Sequence, residues 1–190
     1  MRVSGTVSAV TRSPLELDHL VVARPPQPRG DGARLDVYDE SGALGAFVEA
    51  TPDELTNASV VRLDDADGTE VLSVLHPGGV VRARVDVGGV AAGFVSRVGR
   101  VRANLELHGP GRRPQGDPLA VLRPLGDGDG WAGMGSTLRW WQLSEPTPDA
   151  YGEARYTLDL SATVDPQLRP LLLAATVLID RTVVQLAPAV

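Results

Sequence analysis

Seven arginines crowd one part of this chain: Arg82, Arg84, Arg97, Arg100, Arg102, Arg112 and Arg113. A guanidinium presents a planar fork of donors that matches phosphate, so arginines gathered on one surface can hold an anion through charge-assisted hydrogen bonds. Their spacing bears on whether they gather. Arg82 and Arg84 are two apart, as are Arg100 and Arg102, and in a strand residues two apart share a face. The competing reading is a solvated face that offsets nearby acids. Positions 31–75 hold two arginines and eleven acids, net −9, whereas 76–125 hold eight arginines and three acids, net +5, within a total of −6. That asymmetry suits an anionic partner for the basic part, and the overall acidity argues against a general nucleic-acid binder.

Other chemistry-bearing residues form weaker constellations. Asp65-Ala66-Asp67-Gly68 resembles the start of a calcium loop, but an EF-hand would need an acid at Leu63 and a glutamate at Val74, so a hairpin turn is expected. Gly126-Asp127-Gly128-Asp129-Gly130 could cradle a cation or be a plain loop. His19, His76 and His108 are too scattered for a zinc set or a catalytic triad and read as surface or rim residues. Ser136 lacks the Gly-x-Ser-x-Gly elbow. No catalytic residue, metal site or cofactor is therefore expected. Among the aromatics, Trp140 is expected to point inward, and Trp141, with Trp131, is a candidate interface residue, the competing and more ordinary reading being packing against a covering loop.

The elements that must position these residues are mostly strands. Three hairpin-like units place Asp first and Gly three later between apolar runs: 34–39 with 43–49 around Asp39 and Gly42, 60–65 with 69–76 around Asp65 and Gly68, and 81–86 with 90–97 around Asp86 and Gly89. Asp accepts hydrogen bonds from its own turn, and Gly takes positive φ without a Cβ clash. Gly45-Ala46-Phe47-Val48 and Ala92-Gly93-Phe94-Val95 put a glycine inside two return strands, which suggests a bend or bulge. Period-two alternation marks 100–108 and 155–161. Further strands are expected at 19–24, 118–125, 136–143 and 182–186, with Pro/Gly-rich connections at 25–32, 109–117, 126–135 and 145–152.

One segment differs from all of these. Leu168, Leu171, Leu172, Leu173, Ala174, Ala175, Val177, Leu178 and Ile179 leave a helix with no polar face, and such a helix must be enclosed. The apolar run is too short for a bilayer, which needs roughly 20 residues. The helix is expected over about 165–180, with Asp165 as N-cap, Pro166 at its first position and Pro170 making the first turn irregular or a separate turn. About eight strands close into a barrel that side chains alone can fill, so about twelve need a plug. A helix about 10–12 Å across has that girth. The expected fold is all-β with one buried helix: a closed barrel of about twelve antiparallel strands around a central C-terminal hydrophobic helix, one domain over 1–190.

The strand-Asp-x-x-Gly-strand repeats and the ending Tyr156-x-Leu158-x-Leu160, Asp165, Leu171 to Asp180 resemble the tubby C-terminal-like barrel, in the branch of phospholipid scramblases and LURP-one-related proteins. The resemblance spans about 19–186. It implies a closed barrel around a C-terminal helix, no active site common to the family, and contact with lipid or phosphoinositide in better-known members. Gly152-Glu153-Ala154-Arg155 stands where scramblases carry an acidic calcium-binding-like segment, and the palmitoylated cysteines have no counterpart, so a calcium trigger is not carried over. Every basic residue is an arginine, so no tubby-type lysine contact maps onto this chain.

With no cysteine and no signal-like apolar segment near the start, the expected place is the cytoplasm, with peripheral membrane contact open. The expected role is a non-catalytic binding module for anionic lipid headgroups or a protein partner. A scramblase-like lipid-handling protein is the alternative, and a small-molecule enzyme a further one that would need a polar cleft.

Overall fold

In the computed structural model the described residues are 12–23, 34–53, 58–76, 82–98, 104–111, 117–124, 131–134, 139–148, 154–160 and 164–179. A 3-10 turn, Pro14–Glu16, is followed by β1 (His19–Ala23), β2 (Arg34–Tyr38), β3 (Leu44–Asp53), β4 (Ala58–Asp65), β5 (Glu70–His76) and β6 (Arg82–Val87). Then come β7 (Val90–Val98), β8 (Asn104–His108), β9 (Ala120–Pro124), β10 (Trp131–Met134), β11 (Arg139–Pro148), β12 (Ala154–Leu160) and one helix, α1 (Arg169–Ile179). The protein is thus all-β with one C-terminal helix packed on strands. Every pairing is antiparallel. Sequence neighbours pair throughout, and β1 bonds both to β2, where Val22 faces Val37, and to β12, where Leu20 faces Leu158.

Alternation builds the core. One side of the sheet carries Leu20 and Val22, Leu35 and Val37, Val61 and Leu63, Leu72 and Val74, Ala83 and Val85, and Leu105 and Leu107, all buried. Residues between them turn the other way, which is how Ala83 and Val85 fix the direction of Arg82 and Arg84. The core face is covered by α1, which packs on β5 to β8. Leu171, Leu172, Leu173, Ala174, Ala175, Thr176 and Val177 are consecutive and all buried. At 3.6 residues per turn these seven go almost twice round the helix, so the stretch has no wet side, as its composition requires. Thr176, the polar member, donates its hydroxyl hydrogen to the Leu172 carbonyl at 2.9 Å.

The helix begins later than the sequence suggests. Asp165 does accept a hydrogen bond, from the Gln167 N–H at 2.9 Å, and its carbonyl accepts from Leu168, but 165–168 is a separate turn and α1 starts at Arg169. Pro170 has no N–H to bond back along a helix, so it fits only in the first turn. Arg169 there opposes the helix dipole. Its guanidinium is held instead by the Asp18 carboxylate at 2.5 Å and by the carbonyls of Leu15 and Leu17, tying α1 to the segment before β1.

Three other expectations change. In the hairpins at Asp39 and Asp65 the aspartate accepts from the N–H groups two and four residues on, with Gly42 and Gly68 at φ +79° and +83°. The third unit is different: Asp86 lies within β6, and the reversal is the two-residue Gly88-Gly89 loop, φ +55° and +76°, closed by the Val87–Val90 pair. Two positive φ values in two loop residues match the right-handed twist of the flanking strands. A strand also forms at Trp131–Met134, inside a stretch expected to be a loop, because β9 and β11 bond to it on both sides. β11 runs on through Pro146 and Pro148 with a register shift between Ser144 and Thr147 that accommodates them. The expected strand at 182–186 lies outside the described residues.

Candidate oxyanion-binding face

The face of the sheet away from α1 is polar on β6, β7 and β8. Register places Arg82, Ser96 and Glu106 in one row across the three strands and Arg84, Phe94 and His108 in the next. Neighbouring strands lie about 4.8 Å apart, so members of a row are in side-chain reach. The arginines differ in state. Arg84 is neutralised on its own strand, its Nε–H donating to Asp86 at 2.8 Å. Arg82 makes no ion pair among the described residues; its guanidinium carbon lies 5.8 Å from the centre of the Phe94 ring, a cation–π contact. Beside them Glu106 and His108 pair at 3.3 Å, with His108 almost fully buried.

Two atoms in the first row are unsatisfied. Arg82 Nε and Ser96 Oγ are buried without a hydrogen-bond partner; among the described residues only Ser59 Oγ shares that state. Nearly all buried polar groups in folded proteins are bonded, so two orphans facing each other across one strand pair call for an explanation.

The remaining candidates fall elsewhere. Arg97 pairs with Leu105, on the side of β7 that gives Val95 to the core, and reaches water only because the strand is ending there. Arg100, Arg102, Arg112 and Arg113 lie outside the described residues, as do Ser136 and the loop at 126–130. In backbone register Trp131 stands opposite Leu143, and Trp141 opposite Leu160, itself a core residue; the side chains of both tryptophans lie outside the description. Ser96 and Glu106 carry no binding motif. Their only signal in the sequence is hairpin arithmetic about Gly88-Gly89, which a register shift between Val85 and Asp86 displaces by one.

Of the three histidines, His19 bridges β1 to Asp159 of β12 at 2.5 Å and is the exposed one. His108 is buried, contrary to the surface or rim position expected for it, with its Nε2 3.3 Å from the Glu106 carboxylate on the same strand. His76 faces Ser59 across β4 and β5, and burial pushes its imidazole below the ordinary value of 6.5. A histidine held neutral by the fold takes up its proton more readily when unfolded, so its contribution to stability is full above about 6.5 and is lost as pH falls below it. Melting temperature should therefore fall between pH 7.5 and 5, and His76→Gln should make that fall shallower. An unchanged slope in the variant would show that His76 has no part in it.

The Asp65 turn is a turn by its bonds as well as by its spacing. One carboxylate oxygen already accepts the Asp67 and Thr69 N–H groups at 3.0 and 2.8 Å. Among the described residues no three metal-ligating side chains converge. Millimolar Ca²⁺ should leave the melting temperature of the intact protein unchanged within about 1 °C, whereas a site at a hundred times its Kd would add about 2.7 kcal/mol. Next to this turn lies a cavity of about 130 Å³ lined by Arg12, Ser13, Asp65, Ala66, Asp67 and Val71. That is below the roughly 300 Å³ at which small-molecule pockets begin.

Compared with known proteins, the chain matches no protein-family model and no curated protein. Among the described residues, no helix is long and apolar enough to cross a membrane.

Proposed function

We propose that this protein is a non-catalytic binding module, a closed tubby-like barrel around α1, that takes anionic lipid headgroups on the outer face of its sheet and works at the cytoplasmic surface of a membrane. The observation that carries the reading is Arg82, which makes no ion pair among the described residues and whose guanidinium lies over Phe94 on a face turned away from the core. The burial of α1 on all sides supports it, since a helix in the interior leaves the outer surface to bind. Arginine suits the role, because its charge persists at every physiological pH and its fork meets phosphate oxygens in pairs.

The test is flotation of the intact protein with phosphatidylglycerol/phosphatidylcholine vesicles and with phosphatidylcholine alone. The protein should rise with the anionic vesicles at low salt and stay down at 0.5 M salt, where the screening length falls to a few ångströms. Equal recovery with neutral and anionic vesicles would overturn the proposal.

A further inference from the structure

The two orphaned donors on β6 and β7 define something narrower than a basic surface. Resting on the headgroup-binding reading, we infer that Arg82 and Ser96 form a subsite for one singly charged phosphodiester group, with Glu106 setting the charge limit.

Arg82 Nε carries one N–H and Ser96 Oγ one rotatable O–H, and both are buried without a partner. They stand on directly paired residues of adjacent strands, within side-chain reach of one another. Two donors with no competing acceptor suit a ligand that offers at least two acceptor lone pairs, as an oxyanion does. The guanidinium lies over the neighbouring Phe94 ring, 5.8 Å from its centre. A tetrahedral phosphorus group offers oxygens pointing in different directions, which suits donors arriving from two strands. The hydroxyl explains why sequence spacing alone would not find the site, since serine contributes no charge.

Glu106 decides which phosphate fits. It is the register partner of Ser96 on the far side, so its carboxylate is one strand away from the ligand position. Its carboxylate also lies 3.3 Å from His108 Nε2. A phosphomonoester carries about −1.5 to −2 at neutral pH and meets stronger repulsion than a phosphodiester of charge −1. Arg84 adds little, being paired with Asp86.

The experiment is a ¹H–¹⁵N titration of the intact protein with glycerophosphoglycerol, a soluble phosphodiester, and separately with inorganic phosphate at pH 7.5, joined to flotation with phosphatidylglycerol vesicles. Glycerophosphoglycerol should shift the amides of residues 82, 94, 96 and 106 saturably, and inorganic phosphate should bind more weakly. Ser96→Ala and Arg82→Lys should each weaken diester binding roughly tenfold while melting like the parent, as expected for a lost hydrogen bond to a charged group. Glu106→Gln should bind inorganic phosphate more tightly than the parent does. Arg62→Ala, which removes an equal charge from β4, should stay within about twofold. If vesicle flotation and diester binding fall together in the Ser96 variant, the source is a lipid headgroup. If the diester binds but vesicles do not float, the subsite stands and the lipid reading fails. If vesicles float equally with parent, Ser96→Ala and Arg82→Lys, or if diester shifts scatter over the surface, the subsite is overturned whatever the fate of the lipid reading.

Discussion

Leu172→Asp should leave no cooperative thermal transition. Leu172 is fully buried in the middle of α1 and is the acceptor for the Thr176 hydroxyl. Removing a buried leucine side chain costs about 2–5 kcal/mol, and an unpaired carboxylate in the same place adds several more. The sum reaches a typical total stability of about 5–15 kcal/mol. The measurement is a circular dichroism melt of the purified variant beside Leu172→Ala, which should melt cooperatively at a lower temperature. Leu178→Asp, at a half-buried position near the end of α1, should be milder than Leu172→Asp. A parent-like melt for Leu172→Asp would mean that α1 does not sit in the core.

Gly93→Ala should be the most damaging one-carbon change in the sheet. A Cβ at Gly93 would lie 2.1 Å from the His108 carbonyl oxygen and 3.1 Å from a Leu171 methyl carbon, and the φ of +154° already suits glycine alone. The nearer obstacle is backbone of the paired strand β8, which cannot rotate aside as a side chain would. Strained φ alone costs about 1–3 kcal/mol, and the clash must be relieved by parting β7 from β8. A loss of at least about 3 kcal/mol follows, or roughly 6–12 °C in Tm for a chain of this length. Gly45→Ala is the control. It stands one position earlier in the similar Gly-Ala-Phe-Val strand, and its nearest contact would be an ordinary 3.8 Å. Equal melting of the two variants would contradict the close approach of β7 and β8.

These glycines show what the sequence could and could not reveal. Gly45 and Gly93 look alike in their motifs, and only the register of β7 on β8 makes one of them irreplaceable. The strands with clean alternation were legible, as at Leu105 and Leu107, because period two is a local property. The buried helix was legible for a similar reason, since a segment apolar on all sides has one place to go. β10 was not: Trp-Ala-Gly-Met is only four residues long and shows no clean alternation, and its register on β11 is displaced by a bulge between Gly133 and Met134. The candidate site was half legible. Arg82 declared itself by charge and spacing, whereas Ser96 and Glu106 acquire meaning only once register sets them beside it.

The reading as an outer-face binding module depends above all on the helix filling the interior, and native-state hydrogen exchange of α1 tests that most directly. If the sheet surrounds the helix, the amides of Leu172 to Val177 can exchange only when the whole fold opens, so their opening free energies should equal the global unfolding value and match those of β7. Exchange of these amides several kcal/mol below that value, with β7 still protected, would show that α1 leaves the sheet on its own. The interior would then be an available cavity, contradicting the account.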